Sequence, residues 1–469
     1  VQEIVSTRGK NKIAINGYVY VKQKDLANNI TCFECEQRRG SGRGLSICKA
    51  KVKIATDMSV IGYLNTHSHA PDNEHVKVLE VRARIKRRAE QTEETPQQII
   101  SKEMQQLSQS TAIQMAPISI IKRSIRYKKQ KTNTVYPLPN DRTFFIPDYY
   151  RTLGNGEIFI LHDSGNYDPN RMLIFGTIRT MNLLQRSPHW FMDGTFKIAP
   201  SLFYQLYTVH VLASGDVIPC LYVLLPNKTH STYKRLFQVM QTIVPGLEPI
   251  TVTMDFEIAA MKAVKESFLG VMIKGCFYHL AQNVYRKVQS KGLQERYKMD
   301  KELAIKIRMI PALAFVPPKN IVESFELLRT NAPKVMMPLI NYFEDIYIGR
   351  LGRRGSGRAV PLYSIDIWNV HGQVENDLPR TNNSVEGWHR KMQSAISAHH
   401  PTIWRFLDIL KREHSLNIVH IDQLLGGHAP PAQRRKYRDN NDRIVRIVRE
   451  FDQRDRMEYL RAIAINIAF

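Results

Sequence analysis

The sequence is poor in cysteine and lacks long apolar segments. Its 469 residues include only 5 cysteines, and an odd number scattered over a long chain is not typical of a disulfide framework. A reducing compartment fits better, with metal binding as the use for any cysteines that cluster. No uninterrupted apolar run reaches the length of about 20 residues that a membrane-spanning helix requires, so we expect no membrane partner.

Acidic residues are scarce relative to basic ones. The chain carries 43 Asp and Glu against 67 Lys and Arg, which gives a formal net charge of +24. Such an excess is costly in self-repulsion unless a polyanion is the usual partner. Nucleic acid is therefore the expected partner. At roughly 100–200 residues per domain, the length allows about three domains.

Three acidic residues stand out against this basic background. Asp193 and Asp255 end strand-like runs, and Glu386 begins a helix-like run. Side chains at the carboxyl ends of neighbouring strands converge at one edge of an open sheet, so the two aspartates can face each other. Carboxylates suit Mg²⁺ or Mn²⁺, and two such ions can activate a water or a 3′-hydroxyl for phosphodiester chemistry.

Each of these acids also has a purely structural explanation. An Asp at a strand end is often a turn or cap residue, and the run Asn-Asn-Ser-x-Glu starts a helix without any chemistry, with Asn383 or Ser384 as the cap. Glu257 and Asp377 are the alternatives if one assignment is wrong. Beside Glu386 we expect Trp388 to pack.

The pattern between residues 144 and 275 predicts an α/β fold. Three strand-like runs, then a helix, a strand, a helix and a strand, indicate a mixed sheet flanked by helices. The predicted strands are 190–198, 204–212, 218–225, 250–254 and 271–276. After His279 the pattern is mostly helical to about Tyr347.

A small strand-rich segment near the start of the chain carries Cys35, Cys48, His67 and His69. Two thiolates and two imidazoles make a tetrahedral Zn²⁺ site, and a segment too short for a large core gains most of its folding energy from such an ion. A competing pair of ligands, Cys32 with Cys35, stays open at this point. The alternative that the four residues are free cysteines and surface histidines also stays open.

Basic helical segments follow the strand-rich segment. One covers residues 73–91, a second begins at a capping box starting with Thr95, and a third covers 118–131. A helix-turn-helix, a solvated basic helix and a dimer interface are all compatible with the third. A glycine- and arginine-rich loop covers 349–358. The residues expected to bind DNA are Arg84, Lys86, Arg87, Arg88, Lys122, Arg123, Arg126, Lys128, Lys129, Arg353 and Arg354. The basic run at 84–88 also resembles a nuclear import signal.

Three runs carry a resemblance to a known family. Asp-Gly-Thr-Phe at 193–196, Cys-Phe-Tyr-His at 276–279 after the Asp255 strand, and Thr-Asn-Asn-Ser-Val-Glu-Gly-Trp-His at 381–389 resemble the Mutator-like (MULE) transposases. The resemblance covers about 144–418. It implies an RNase H-like fold of the DDE/D class, with Asp193, Asp255 and Glu386 as the catalytic triad and a helical insertion before the last of them.

By the same resemblance, Cys276 and His279 support the active site, and a buried thiol and a capping histidine are the alternative for them. His389, which lies beside Glu386, is also expected to support the active site, with a DNA contact or simple packing as the alternatives. The runs at 48–52 and 67–71 resemble the FLYWCH-type zinc finger. In that family Cys32 falls at an aromatic position, which implies that it is not a ligand.

The expected domains follow from these patterns and resemblances. They are a zinc-binding module at 1–75, a helical DNA-binding or dimerisation region at 76–140, the first part of the catalytic core at 141–280, a helical insertion at 281–377, the final core helices with Glu386 at 378–425, and a basic helical tail at 426–469.

The function implied is that of a cut-and-paste DNA transposase. It would bind terminal inverted repeats and target DNA as a dimer or higher homo-oligomer in the nucleus, with Mg²⁺ or Mn²⁺ in the active site and Zn²⁺ in the finger. The alternatives are a domesticated, non-catalytic DNA-binding regulator and a metal-dependent nuclease that cuts without joining.

Overall fold

A computed structural model describes residues 1–5, 11–27, 29–38, 47–92, 94–105, 107–132, 136–352, 357–396, 399–430 and 435–467. These residues form two compact units. We call Val1–Pro137 the N-terminal unit and Leu138–Phe469 the C-terminal unit.

The N-terminal unit begins with an antiparallel sheet in which each strand pairs with the next along the chain. Within the described residues its strands are β1 (Gln2–Val5), β2 (Asn11–Ile15), β3 (Tyr18–Asp25), β4 (Thr31–Cys35), β5 (Lys51–Ile54) and β6 (Val60–Leu64). Alternating residues, among them Ile13, Tyr20, Phe33 and Val52, pack together on one face. This core is small, as the sequence predicted for this segment.

Four helices complete the described part of the N-terminal unit: α1 (Asn73–Gln91), α2 (Pro96–Met104), α3 (Gln109–Gln114) and α4 (Ile118–Thr132). The predicted capping box is confirmed, because the Thr95 hydroxyl accepts from the Gln98 amide and the Gln98 side chain accepts from the Thr95 amide. Ile85, Ile99 and Ile125 pack between the helices.

The C-terminal unit contains a mixed sheet, and the prediction of a multidomain α/β protein is confirmed. Its described strands are β7 (Ile160–Asp163), β8 (Leu173–Phe175), β9 (His189–Thr195), β10 (Gln205–Ala213), β11 (Asp216–Leu225), β12 (Thr251–Met254) and β13 (Met272–Gly275). Their order is β13-β12-β9-β10-β11-β8-β7. The pairs from β9 to β7 are antiparallel, whereas β12 is parallel to both β9 and β13. Strands β7 and β8 were not among the predicted strands; they are only 4 and 3 residues long.

Helices surround the sheet and continue beyond it. The described ones are α5 (Asp148–Arg151), α6 (Ile178–Arg186), α7 (His230–Ile243), α8 (Ile258–Ser267), α9 (Phe277–Ser290), α10 (Gln294–Met299), α11 (Lys301–Ala312), α12 (Ile321–Thr330), α13 (Met337–Phe343), α14 (Ile365–Trp368), α15 (His371–Glu375), α16 (Asn383–Ile396), α17 (Ile403–Leu425), α18 (Arg435–Arg449) and α19 (Arg456–Asn466). A π-helical turn at Glu344–Ile348 follows α13. Helix α19 packs on α11, and the Tyr459 hydroxyl donates to the Phe315 carbonyl at 2.6 Å.

The register of the parallel strands sets the position of the predicted site. Phe191 of β9 lies opposite Thr253 of β12, so Asp193 and Asp255, each two residues further along, are level. Met254 lies opposite Gly275 of β13. Neighbouring strands are about 4.8 Å apart, and their carboxyl ends therefore bring these residues to one edge of the sheet.

Gly275 closes β13 beside the ring of Phe256, the residue after Asp255. A Cβ atom at Gly275 would lie 2.5 Å from Cζ and 2.7 Å from Cε1 of that ring. The ring is held in place, because it packs edge-to-face on Tyr363 and the Tyr363 hydroxyl donates to the Phe256 carbonyl at 2.6 Å. A glycine is therefore required for the ring to cover the strand end.

We expect Gly275→Ala to lower the free energy of unfolding by about 1–3 kcal/mol, the usual cost of overpacking, as measured by denaturant unfolding. Gly372→Ala is the matched control. A Cβ atom there meets nothing within 4 Å, and alanine in α15 should be neutral or slightly stabilising. Equal stability of the two variants would contradict this account of Gly275.

Candidate active site and zinc site

The three predicted catalytic acids occupy separate elements of the C-terminal unit. Asp193 lies within β9 and is buried, Asp255 follows β12 directly, and Glu386 lies in the first turn of α16. Their backbone positions follow from the parallel register of β9 and β12 and from the packing of α16 on β9. The structure thus brings all three to the carboxyl edge of the sheet.

Asp193 is contacted by a histidine from α16. Its Oδ2 lies 3.3 Å from Nδ1 of His389, and the other ring nitrogen of His389 lies 3.0 Å from the Thr208 hydroxyl. Thr208 lies directly opposite Asp193 in the pairing of β9 with β10. His389, which sequence analysis named as active-site support with a DNA contact as the alternative, is buried against Asp193 and Thr208 in the structure.

Glu386 is contacted by a histidine from α9. Its Oε1 lies 3.6 Å from Nε2 of His279, which is too long for a hydrogen bond. This Oε1 is buried and has no hydrogen-bond partner among the described residues. A buried carboxylate oxygen without a donor is costly, and an added cation would satisfy it.

Electrostatic interactions connect the acids to one another. Burial raises the pKa of Asp255, and the negative charge of Asp193 raises it further, while His279 and Lys228 oppose the shift. Burial also raises the pKa of Glu386, and Asp193 adds to that shift against the opposing effect of His279. The protein's own cations therefore leave the ionised carboxylates destabilised, the condition under which a divalent ion is held strongly.

Asn382 joins the start of α16 to the sheet, and sequence analysis missed it. Its side-chain amide donates to the Met192 carbonyl at 3.0 Å, and its backbone amide donates to Sγ of Cys276 at 3.1 Å. Its carbonyl accepts from the Glu386 amide at 2.9 Å. The prediction of Asn383 or Ser384 as the cap is wrong, because the helix begins at Asn383 and the Asn382 carbonyl accepts its first hydrogen bond.

Cys276 and Trp388 are packed rather than open to solvent. Burial raises the pKa of the Cys276 thiol to about 12, so it stays protonated and accepts from Asn382. Trp388 stacks on Tyr222 with 5.1 Å between ring centroids, in agreement with the packing expected for it.

The two alternative acids lie in different places. Burial and the charge of Asp255 raise the pKa of Glu257, against an opposing effect of Tyr233, so Glu257 belongs to the same acidic cluster. Asp377 lies at a left-handed backbone position with φ 53°. It lines a separate cavity of about 550 Å³ together with Asn441 and Arg446.

The N-terminal unit holds a second cluster, the four predicted zinc ligands. Sγ of Cys35 lies 3.2 Å from Nε2 of His69, and Sγ of Cys48 lies 3.4 Å from Nδ1 of His67. The ligand atoms of this set all lie within 4.8 Å of one another. In the described part of the chain, no other group of three or more such residues is as ready to hold a metal, and the three carboxylates are more widely spaced.

The remaining imidazole nitrogens have partners that orient the ligating ones. Nε2 of His67 lies 2.7 Å from the Tyr20 hydroxyl, and the His67 ring stacks on Tyr18 at 3.6 Å. Nδ1 of His69 lies 2.9 Å from the Ala70 carbonyl. Such partners fix the tautomers that leave Nδ1 of His67 and Nε2 of His69 free for Zn²⁺. The donor set and its surroundings therefore fit zinc.

Cys32 takes no part in this cluster. Cys32 and Cys35 are an odd number of residues apart on β4, so their side chains point to opposite faces. Sγ of Cys32 contacts the Gln23 side chain at 3.5 Å instead. The competing ligand pair of Cys32 with Cys35 is therefore wrong.

Several cations predicted to bind DNA have partners within their own unit. Arg84 pairs with Glu103 at 2.9 Å, Arg88 with Glu94 and Glu103, and Lys128 with Glu90 at 3.2 Å. Glu90 and Glu103 lie on the neighbouring helices α1 and α2, and Glu94 lies in the segment between them. Lys129 likewise donates to the Thr92 carbonyl. Lys86 and Lys122 are half-buried, whereas Arg87, Arg123 and Arg126 are exposed. Arg353 and Arg354 lie outside the described residues.

Comparison with known families finds two matching segments. Residues 189–283 match the MULE transposase domain, and residues 3–69 match the FLYWCH zinc finger domain. The first match includes Asp193, Asp255 and His279 but ends before Glu386, and the second includes all four zinc ligands. A search of curated proteins found no match. Among the described residues, no helix has the length and apolar character needed to cross a membrane.

For the zinc site, we expect Cys35→Ser and Cys48→Ser each to lose about one zinc per chain, because a closed tetrahedral site needs all four ligands. Metal analysis of the purified protein measures this. Cys32→Ser is the matched control, since its thiol is also buried but lies outside the cluster, and it should keep its zinc. Retention of zinc by Cys48→Ser would remove Cys48 from the site.

For the acidic cluster, we expect Asp255→Asn to raise the melting temperature of the Mg²⁺-free protein at neutral pH. When the pKa of a carboxyl is raised in the folded state, the stability of the protein falls as the pH rises from the unfolded-state pKa to the folded-state pKa. Asparagine does not ionise, so the substitution removes this loss of stability. Calorimetry measures the change, with Asp377→Asn as control. A lower melting temperature for Asp255→Asn than for the wild type would contradict the electrostatic account.

Proposed function

We propose that this protein is a DNA transposase that cleaves the ends of a mobile element and joins the freed 3′-hydroxyls to target DNA. The observation that carries the proposal is that Asp193 and Asp255 lie level with each other on adjacent parallel strands. Glu386 lies at the same edge of the sheet, on a helix whose start is joined to the sheet by Asn382. The transposase domain match in the same segment supports it.

The sheet supports the expected RNase H-like core. Strands β9, β10 and β11 form an antiparallel meander, and β12 and β13 add to it in parallel on the β9 side. Helices α9–α15 occupy the segment between β13 and α16, where a helical insertion was expected. The start of α16 lies at the strand ends, although these helices separate it from β13 in the sequence.

Asp193, Asp255 and Glu386 would hold Mg²⁺ or Mn²⁺. The fit rests on Glu386 Oε1, which is buried without a hydrogen-bond partner among the described residues, and on the raised pKa values of Asp255 and Glu386. Ligands of two different ions need not lie as close together as the ligands of a single zinc ion. When bound, such ions activate the attacking hydroxyl and stabilise the leaving oxygen of an in-line displacement.

The protein's own residues perform the remaining tasks. His279 and Lys228 reduce the repulsion among the acids without neutralising them. His389 contacts the Asp193 carboxylate, and Asn382 sets the start of α16.

The net charge of +24 provides the sequence-independent attraction to DNA phosphates. The zinc finger and the exposed arginines of α1 and α4 would then recognise the terminal repeats, and two ends would be held by a homo-oligomer in the nucleus.

A DNA-binding regulator without catalysis is the second candidate. The specific observation in its favour is that, within the described residues, the four zinc ligands form one close group, whereas the three carboxylates do not. In that case the N-terminal unit would bind DNA, and the acidic cluster would be a catalytically inactive remnant of an ancestral transposase.

The decisive assay incubates the protein with labelled terminal-repeat DNA, a target plasmid and Mg²⁺. We expect the wild type to cut and join DNA. Asp193→Asn, Asp255→Asn and Glu386→Gln should each lose at least about 10³-fold in cleavage rate, because each substitution removes a carboxylate that would hold the metal ions, and these ions stabilise the charge of the reaction. All three should still bind the repeats, which a gel-shift measurement checks.

Asp377→Asn is the matched control for this assay. It removes a carboxylate from the same unit at a left-handed position that asparagine tolerates, and it should cleave as the wild type does. Binding without cutting by every form, wild type included, would favour the regulator. Cutting without joining would favour the nuclease.

A further inference from the structure

Helices α3 and α4 are joined by a tight turn at residues 115–117. The Met115 amide donates to the Ala112 carbonyl at 3.2 Å and ends α3, and the Pro117 carbonyl accepts from the Ile121 amide at 3.1 Å and starts α4. Two helices joined by a turn of about three or four residues are the basis of a helix-turn-helix. Helix α1 packs on both of them. The N-terminal unit therefore has the connectivity of a helix-turn-helix, with α4 as the second helix.

One face of α4 is fixed in the core of the N-terminal unit. Ile121 and Ile125 are buried in the same cluster as Ile85 of α1 and Ile99 of α2. Arg123 is two residues from each of these buried positions on α4, and at about 100° per residue it lies on the opposite side of the helix. Its side chain is exposed. The packing therefore determines which side of α4 faces outward.

The outer face of α4 combines cations with large apolar side chains. Ile120, Arg123 and Tyr127 are spaced three and four residues apart, so they form one stripe along the helix, and Arg126 lies beside that stripe. All four side chains are exposed. Helix α4 contains no acidic residue. Such a face suits the major groove of DNA, where phosphates flank base edges and thymine methyl groups.

The arginines of this face differ from other cations of the same helical bundle. Arg84, Arg88 and Lys128 pair with acids inside the bundle. Among the described residues, neither Arg123 nor Arg126 has a hydrogen-bond or ion-pair partner. In a symmetric dimer the same face would meet itself, and these arginines would repel their copies because α4 offers no acid to pair with them. The charge therefore favours a polyanion over a second copy of the chain.

We propose that α4 is a recognition helix that enters the major groove of double-stranded DNA and reads a guanine through Arg123. This assignment rests on the proposed function in that DNA is taken as the partner, and it adds which helix reads the sequence. Arg123 lies in the first half of α4, the part of such helices that contacts base edges, and its guanidinium matches the two acceptors of guanine. Arg126 and Tyr127 contact phosphates, which position the helix without reading sequence.

The first test measures sequence preference without requiring cleavage. The full-length, zinc-loaded protein selects binding sites from a library of random duplex DNA in the absence of Mg²⁺. We expect the wild type to enrich a motif that contains a guanine. Arg123→Gln should lose about 5–100-fold in preference for that guanine and favour adenine there, because glutamine pairs with the adenine edge.

Arg126→Gln is the matched control, because it removes the same charge from the same exposed face. It should keep the motif of the wild type and bind all sequences more weakly, with a shallower dependence of affinity on salt. Both arginines are exposed, so neither substitution should disturb the core. The proposal is overturned if Arg123→Gln keeps the wild-type motif, if the two variants change it equally, or if the wild type enriches no motif.

The second test distinguishes DNA binding from a contact between copies of the chain. Ile120→Ser removes an exposed apolar side chain from the outer face of α4. We expect the DNA-free variant to sediment as the wild type does, and its affinity for the selected motif, measured by fluorescence anisotropy, to fall. A smaller mass in sedimentation, or an unchanged affinity for DNA, would contradict the placement of this face in the groove.

These outcomes are separable from that of the proposed function, since neither test depends on catalysis. A protein whose motif changes in Arg123→Gln but which never cuts DNA in Mg²⁺ keeps α4 as a recognition helix and refutes the transposase. A protein that cuts and joins DNA, and whose motif is the same in Arg123→Gln, refutes the recognition helix and leaves the transposase standing.

Discussion

Buried negative charge at the carboxyl edge of β9 and β12 is the constraint on which the C-terminal unit depends. Asp193 is enclosed, and the pKa values of Asp255 and Glu386 are raised because burial and mutual repulsion disfavour their ionised forms. Such an arrangement persists only when the surrounding structure imposes it. The largely buried strands β10 and β11 and the contacts of Asn382 supply that rigidity.

The two candidate metal sites differ in how they relate to the stability of their units. In the N-terminal unit the core is small, and four converging side chains with oriented imidazoles allow a metal to stabilise the fold. In the C-terminal unit the core is large and stable enough to hold acids together at an energetic cost. The first site uses soft and borderline ligands in a closed set, and the second leaves a carboxylate oxygen unsatisfied.

Local sequence patterns predicted much of this architecture. The strand-ending aspartates, the capping box at Thr95 and the four zinc ligands each depend on residue type and short-range spacing, and the structure places them as expected. Asn382 and Thr208 escaped prediction because their partners lie on other elements: Asn382 contacts residues 106 and 190 positions away, and Thr208 contacts His389 of α16. The ion pairs of Arg84 and Lys128 escaped for the same reason, and they make these residues part of the helix packing.

What the sequence alone determined was chemistry: the excess of positive charge, the hard and soft ligand sets, and the elements that carry them. These properties follow from residue identity and from periodicities of two and 3.6 residues, which act locally. What only the tertiary structure decided was which of these groups meet. The parallel register made Asp193 and Asp255 level, the alternation of β4 excluded Cys32, and the packing of α16 joined His389 to Asp193, because non-local distances arise only when separate elements share one core.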